Sequence, residues 1–294
     1  MTLDQLRIFI AVAAREHVKQ AASVLHLSPS AVSAAIQALE ARHGVPLFER
    51  VGRGIRLTQA GHLFLAQAQT VLAQADAAEA LLEELAGGTR GRLVLGASQT
   101  IASYWLPRHL ASFRLANPEI ELELSIGNSA TVAEAVRQGR AELGFIEGEV
   151  QEPDLLRTQV ARDAMVLLVA PGHGWGRKVN QAEITATPWV LREPGSGTRA
   201  VFETAMAARD IDPASLNLAL ELPSNEAVRG AVEAGLGATI LSSSVAAPSL
   251  EAGLLRQVEF PLPDRSFYLL RAAKTRSSPA ARAFMARLGV SVAQ

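Results

Sequence analysis

Apolar positions in the first sixty residues recur at helical spacing and then give way to a short alternating stretch. Gln20 to Leu25 reads as a short helix whose small residues, Ala21 and Ala22, let a second helix cross closely, with Leu27 tucked back toward the core. Ser28 suits an N-cap and Pro29 the first helical position, where a missing N–H costs nothing. Val32, Ile36 and Leu39 then repeat on one face, leaving Ser30, Ser33, Ala34 and Gln37 on the other. Val45 to Arg50 and Ile55 to Leu57 alternate like two strands around the turn Val51-Gly52-Arg53-Gly54. Helix, turn, helix and basic hairpin together predict an all-α winged helix-turn-helix over residues 1–58.

Such a unit offers a small polar helix face to the major groove, where Gln37 is the best candidate for reading a base. Ser28, Pro29, Ser30 and Ser33 accompany it, and Arg50, Arg53 and Arg56 on the hairpin suit phosphates or a minor groove. The charge distribution strengthens this reading. The chain carries a formal net charge of only -1, but residues 1–62 hold seven Lys or Arg against four acids, and residues 63–90 hold one Arg against four. The basic excess is thus confined to the expected DNA-binding head, and its modest size favours two or more heads acting together.

Thr58 can cap a long helix reaching about Ala86, with Gly87-Gly88 beyond it, so residues 59–87 are expected to form a linker. Phe64, Ala68, Val71, Ala75, Ala78, Leu82 and Leu85 alternate at spacings of four and three, the seam of a two-helix dimer. The competing reading packs this stripe against its own chain.

From residue 88 to 294 strands and helices alternate, which predicts open α/β sheets in two lobes. Strands are expected at Leu93 to Ala97, Ile120 to Gly127, Leu143 to Ile146, Met165 to Ala170, Trp189 to Leu191, Leu218 to Leu222, Ala238 to Leu241 and Phe267 to Arg271. Helices are expected near Tyr104 to Ala116, Thr131 to Gln138, Thr198 to Arg209, Glu226 to Ala234 and Ala280 to Arg287. Lobe I takes about 91–161 and 267–294, and lobe II about 162–266. Ligands of open sheets bind at the carboxyl ends of strands, where helix N-termini offer free N–H groups. Ser98, Gln99 and Thr100, then Asn128 and Ser129, then Ser196, Gly197 and Thr198 occupy such places, and together suit a small anion or carboxylate. For each segment taken alone, an ordinary Ser/Thr helix cap is the better explanation.

Composition narrows the remaining classes. Cysteine is absent, which removes disulfides, thiolate metal sites and thiol sensing, and the six histidines are scattered without ligand spacing, so neither metal nor cofactor is expected. No nucleophile elbow, P-loop or paired-carboxylate motif stands in a catalytic context, so the chain is not expected to be an enzyme. With no apolar run near 18 residues and no leader-like segment, membrane contact is not expected and a cytoplasmic location is.

The order of parts resembles a LysR-type transcriptional regulator over essentially the whole chain. The resemblance rests on LRIFIAVA at residues 6–13, QAASVLHLSPSAVSAAIQALEARHGVPLFER at 20–50, RGIRLTQAG at 53–61 and EAGLGATIL at 233–241. It implies a DNA-binding head, a dimerising linker helix and a two-lobed, periplasmic-binding-protein-like effector domain, assembled as a homodimer or homotetramer. Double-stranded promoter DNA, a small-molecule effector and RNA polymerase are the partners it brings into consideration. The family's DNA-contacting helix falls on Ser28 to Arg42, its wing on Arg50 to Arg56, and its effector loops on Ser98 to Thr100 and Ser196 to Thr198. Pro29 and Ala34 stand where the family commonly has Gln and Arg, so base choice should rest more on Gln37, the serines and DNA shape. The segments GASQTIASYWLP and REPGSGTR are similar to those of members controlling sulfur or carbon assimilation. The rival expectation is an effector-independent DNA-binding protein whose α/β domain only oligomerises.

Overall fold

The computed structural model describes residues 1–52, 54–85, 91–148, 152–273 and 275–290, apart from the side chains of 77, 80, 81 and 83–85. It divides into two compact units, one holding the head and linker helix and the other the α/β lobes.

In the first unit, α1 (Leu3–Ala13) starts with a Thr2 capping box and buries Leu6, Phe9 and Val12. It packs with α2 (Val18–Val24) and α3 (Pro29–His43) around one core, in which Val32, Ile36 and Leu39 of α3 are buried. The cap of α3 is as its sequence predicts, with the Ser28 hydroxyl accepting the Ala31 N–H at 3.1 Å, and the helix ends at Gly44 with φ +66°. Strands β1 (Phe48–Val51) and β2 (Gly54–Leu57) pair antiparallel as the wing. One oxygen of Glu40 ties the wing to α3 by accepting the N–H groups of Leu47 at 2.7 Å and Phe48 at 3.0 Å. The linker helix α4 (Gln59–Leu85) follows, capped by Thr58, whose hydroxyl accepts from Gly61 N at 3.0 Å and donates to the Pro46 carbonyl at 2.8 Å.

In the second unit the chain begins with β3 (Gly91–Ser98), which leads through a π-helical turn (Ile101–Trp105) into α5 (Leu106–Ala116). Next come β4 (Ile120–Gly127), α6 (Ser129–Arg137), β5 (Leu143–Glu147) and β6 (Leu155–Asp163). The second lobe contains β7 (Met165–Val169), α7 (Gln181–Ala186), β8 (Trp189–Arg192) and α8 (Gly197–Ala207). It continues, after a short 3-10 turn at Pro213–Ser215, with β9 (Leu218–Leu222), α9 (Asn225–Glu233), β10 (Ala238–Ser242), α10 (Ser243–Glu251) and β11 (Arg256–Val258). Finally β12 (Arg265–Ala272) and α11 (Pro279–Arg287) return to the first lobe. One five-stranded sheet runs β4-β3-β5-β12-β6 and the other β11-β7-β10-β8-β9. Each mixes parallel and antiparallel pairs: β3 runs parallel to β4 and β5, whereas β12 is antiparallel to β5 and β6.

Four of the second unit's strands and α-helices were absent from the sequence expectation. The polar edge strand β6 is mostly exposed or half-buried and lacks a clean alternation, and β11 has three residues. Helix α7 spans only six residues, started by an Asn180–Glu183 capping box, and α10 contains Pro248, which reads as a breaker. The helix expected from Tyr104 begins earlier, because the π-helical turn already spans Ile101–Trp105. Among the described residues no single helix is long and apolar enough to cross a membrane.

Candidate functional sites

On the head, α3 presents the face its spacing predicts. Ser28, Pro29, Ser30 and Gln37 are exposed and Ser33 is half-buried, while the opposite stripe is in the core. The hydroxyls of Ser28 and Ser30 lie 3.0 Å apart, so the cap and the outer face are one polar patch. Arg50 and Arg56 are exposed opposite-facing neighbours on the hairpin, at register positions paired with Ile55 and Glu49. Arg53 lies outside the described residues.

The linker seam is divided in use. Phe64 packs against Phe9 with the rings tilted and their centroids 5.0 Å apart, and Ala68, 1% exposed, belongs to the head core. These two positions, expected on a seam between chains, therefore pack on their own head, because α4 crosses α1 before running on. Ala75 is half-buried, Val71, Ala78 and Leu82 are exposed, and the side chain of Leu85 lies outside those described.

In the α/β unit, the segments singled out at strand ends meet across the two lobes. Gln99 accepts the Asn225 N–H at 2.7 Å and donates to Glu226 at 3.1 Å, and the Thr100 hydroxyl accepts the Asn225 amide at 3.0 Å. On the other side, Asn128 donates to Glu193 at 3.2 Å and to the Pro194 carbonyl at 3.4 Å, while Ala130 N–H donates to the Gly195 carbonyl at 3.2 Å. The helical starts thus meet in two pairs across the lobes, the π-turn after β3 with the N-terminus of α9 and the N-terminus of α6 with that of α8, and each helix end adds partial positive charge to its junction.

Ser98, Thr100, Ser129, Ser196 and Thr198 are all buried. The Ser98 hydroxyl has no hydrogen-bond partner among the described residues, which leaves an unsatisfied donor and acceptor at the end of β3. Ser196 caps α8 by accepting the Thr198 N–H at 3.2 Å, and Ser129 donates to the backbone and carboxylate of Glu147. Gly197 permits this closeness, since a Cβ there would stand 2.7 Å from the Glu147 Cβ.

The charged residues that organise these junctions are not among the site residues expected from the sequence. Arg192, 3% exposed, donates to Glu193 through Nε at 2.8 Å and Nη2 at 2.9 Å, and through Nη1 to Asn225 at 2.7 Å. Burial alone would raise the Glu193 carboxyl, but the hydrogen bonds and charge of Arg192, with Asn128, hold it below the usual carboxylate range. Arg265, 1% exposed on its side chain, pairs with Asp163 where β12 and β6 pair, and donates to Thr198 at 3.0 Å. Asp163 also accepts from Ser242 at 2.8 Å. The available signals were faint: a charged pair closing the apolar strand WVLRE, and Asn225 directly after a capping serine.

Known proteins place this architecture. The family model for the bacterial regulatory helix-turn-helix protein, LysR family, matches residues 3–62, and that for the LysR substrate binding domain matches residues 86–290. The chain is 36% identical to the uncharacterized HTH-type transcriptional regulator YeiE of Escherichia coli strain K12, covering 97% of this chain and 96% of that one. It is 33% identical to the HTH-type transcriptional regulator CbbR of Rhodospirillum rubrum, over 97% and 95% of the two chains. Among solved structures, a full-length OxyR variant from Pseudomonas aeruginosa is similar with a TM-score of 0.70 and 25% identity, covering 98% of this chain and 94% of that one. With the winged head, the linker helix and the paired α/β lobes all matched, the chain belongs to the LysR family of DNA-binding transcriptional regulators, and carries that family's substrate-binding domain for an effector.

Proposed function

We propose that this regulator responds to a small anionic effector held between the lobes by Ser98 to Thr100, Asn128 and Ser129, and Ser196 to Thr198. The observation that carries the reading is the pairing of helical starts at two junctions between the lobes, joined by the buried Arg192 and accompanied by the unpartnered Ser98 hydroxyl. An effector binding one lobe arrangement better by about 1 to 3 kcal/mol biases the equilibrium enough to alter DNA binding. Residues 1–58 act as the head, 59–87 as the linker and 88–294 as the effector domain, with the lobes divided near 161 and 267. Gln37 and the serines of α3 read promoter DNA while Arg50, Arg53 and Arg56 hold its backbone. Val71, Ala75, Ala78, Leu82 and Leu85 face a second α4 in a homodimer that pairs into a tetramer, and RNA polymerase is the further partner of the assembled complex.

A second reading has its own support. Apart from the Ser98 hydroxyl, the polar groups at the junction of the π-turn and α9 are satisfied by the chain itself, Arg192 by Glu193 and Asn225, and Asn225 by Gln99 and Thr100. A junction that stayed so closed would make the α/β domain a passive oligomerisation unit. Thermal unfolding of the full chain with sulfate, sulfite, phosphate, carboxylic acids and sugar phosphates separates the two. At a hundredfold excess over Kd a ligand adds about 2.7 kcal/mol of stability, a readable rise in Tm. A selective rise supports the effector reading; no rise with any of them favours the passive one.

A further inference from the structure

Between α6 and α8 lies a buried acid that has no ion pair among the described residues. Glu147, the last residue of β5, is 4% exposed and lines a cavity of about 330 Å³ between α6 and α8. Its Oε2 accepts the Ser129 hydroxyl at 3.0 Å, whereas Oε1 accepts no hydrogen bond and the residue enters no ion pair among the described residues. Oε1 is not among the fully enclosed unpartnered atoms, so it opens on the cavity, where a cation would pair with it. The N-termini of α6 and α8 supply roughly half an elementary charge each, enough to hold one carboxylate.

The same walls carry more negative charge than that. Glu134, Glu152 and Glu203 also line the cavity, against Arg199 alone. Glu134 is held by Arg137, and Arg199 is taken by Glu203 at 2.7 Å and by the Arg192 carbonyl at 3.2 Å. Glu147 and Glu152 remain without an ion pair among the described residues. The described acids are not arranged to share a metal ion, so the charge suits an organic cation. At about 330 Å³ the cavity is at the small end of ligand pockets, which run from about 300 to 1,000 Å³.

Ser129, Ser196 and Gly197 line this cavity and also belong to the proposed anion site, so the two are continuous. We propose that the cavity receives an ammonium group on Glu147, and that the ligand of this domain is a small zwitterion such as an amino acid. Its acidic end would lie toward the helix N-termini and its ammonium toward Oε1 of Glu147. This deepens the effector reading and rests on it.

The test is thermal unfolding of the full chain with L-amino acids, with the same molecules lacking the amino group, and with simple primary amines. Wild type and Glu147→Gln are compared; the substitution keeps the shape and the Ser129 contact while removing the charge. The proposal expects at least one amino acid to raise Tm, its deaminated counterpart not to, and Glu147→Gln to weaken binding about tenfold or more. Glu152→Gln, at an exposed position, is a second variant for which folding is not at risk, and should weaken the same amino acid about threefold.

Deaminated acids or inorganic anions that raise Tm equally in wild type and Glu147→Gln overturn the ammonium site and leave the anion site standing. Amines that act alone and need Glu147 support the ammonium site and overturn the anionic end. Amino acids and amines that leave wild type unshifted, or an amino acid bound equally by all three proteins, overturn the proposal.

Discussion

Asn225 joins three partners, two of them, Gln99 and Thr100, in the other lobe. Its side chain accepts from Arg192 at 2.7 Å and donates to Thr100 at 3.0 Å, and its N–H donates to Gln99 at 2.7 Å, all while fully buried. Asn225→Ala strands the arginine donor and the Thr100 hydroxyl, so urea unfolding should show a loss of about 2 to 4 kcal/mol. A loss below about 0.5 kcal/mol would mean that water or a shifted side chain replaces it. Glu193 gives a pH-dependent counterpart. Its carboxyl is held low, so the stability it contributes is full above the ordinary carboxylate range and is lost as pH falls through its depressed value. Urea midpoints of wild type and Glu193→Gln should therefore differ at neutral pH and converge in strong acid. A gap that widens on acidification would show the sign to be wrong. Neither residue was legible in the sequence, because each works through partners 33 to 126 positions away or through an adjacent side chain whose direction the sequence does not reveal.

Among the elements, those with a local signal were readable. Helix α3 announces itself through Ser28, Pro29 and a repeating apolar face, and the turn at Gly52 marks the wing; the structure has both. Strands buried on both faces, such as β5 and β7, were equally plain as short apolar runs. By contrast, β6 and α10 depend on neighbours: one is a polar edge strand completed by β12, and the other tolerates Pro248 near its end. The start of α4 shows a similar dependence, since Phe64 and Ala68 fit a heptad yet are used by the head core. Gly61 sits at this junction, where a Cβ would collide with the Leu47 carbonyl and Leu57. Gly61→Ala should accordingly destabilise the winged head by about 1 to 3 kcal/mol, despite favouring the helix intrinsically. Calorimetry of the full chain showing a lower transition for the head would agree; a rise in stability would mean the wing yields without cost.

For the whole molecule, family membership is settled by the matched head and substrate-binding domain, whereas the ligand and its coupling to DNA are the proposal that the contacts between the lobes support. At the DNA face, Gln37→Ala should narrow the affinity gap between selected and scrambled duplexes, while Arg53→Ala should weaken both and reduce the salt slope by about 1. An unchanged slope would remove Arg53 from the backbone contacts. The central claim is that a ligand held between the lobes alters DNA binding. It is tested most directly by fluorescence anisotropy of the full chain on a duplex selected from a random pool, with and without a ligand found by thermal shift. Wild type should change affinity by about 5- to 150-fold on adding the ligand, and Thr100→Val combined with Ser196→Ala should lose that change while binding DNA as before. A full response in the double variant, or no response in wild type, would contradict the account.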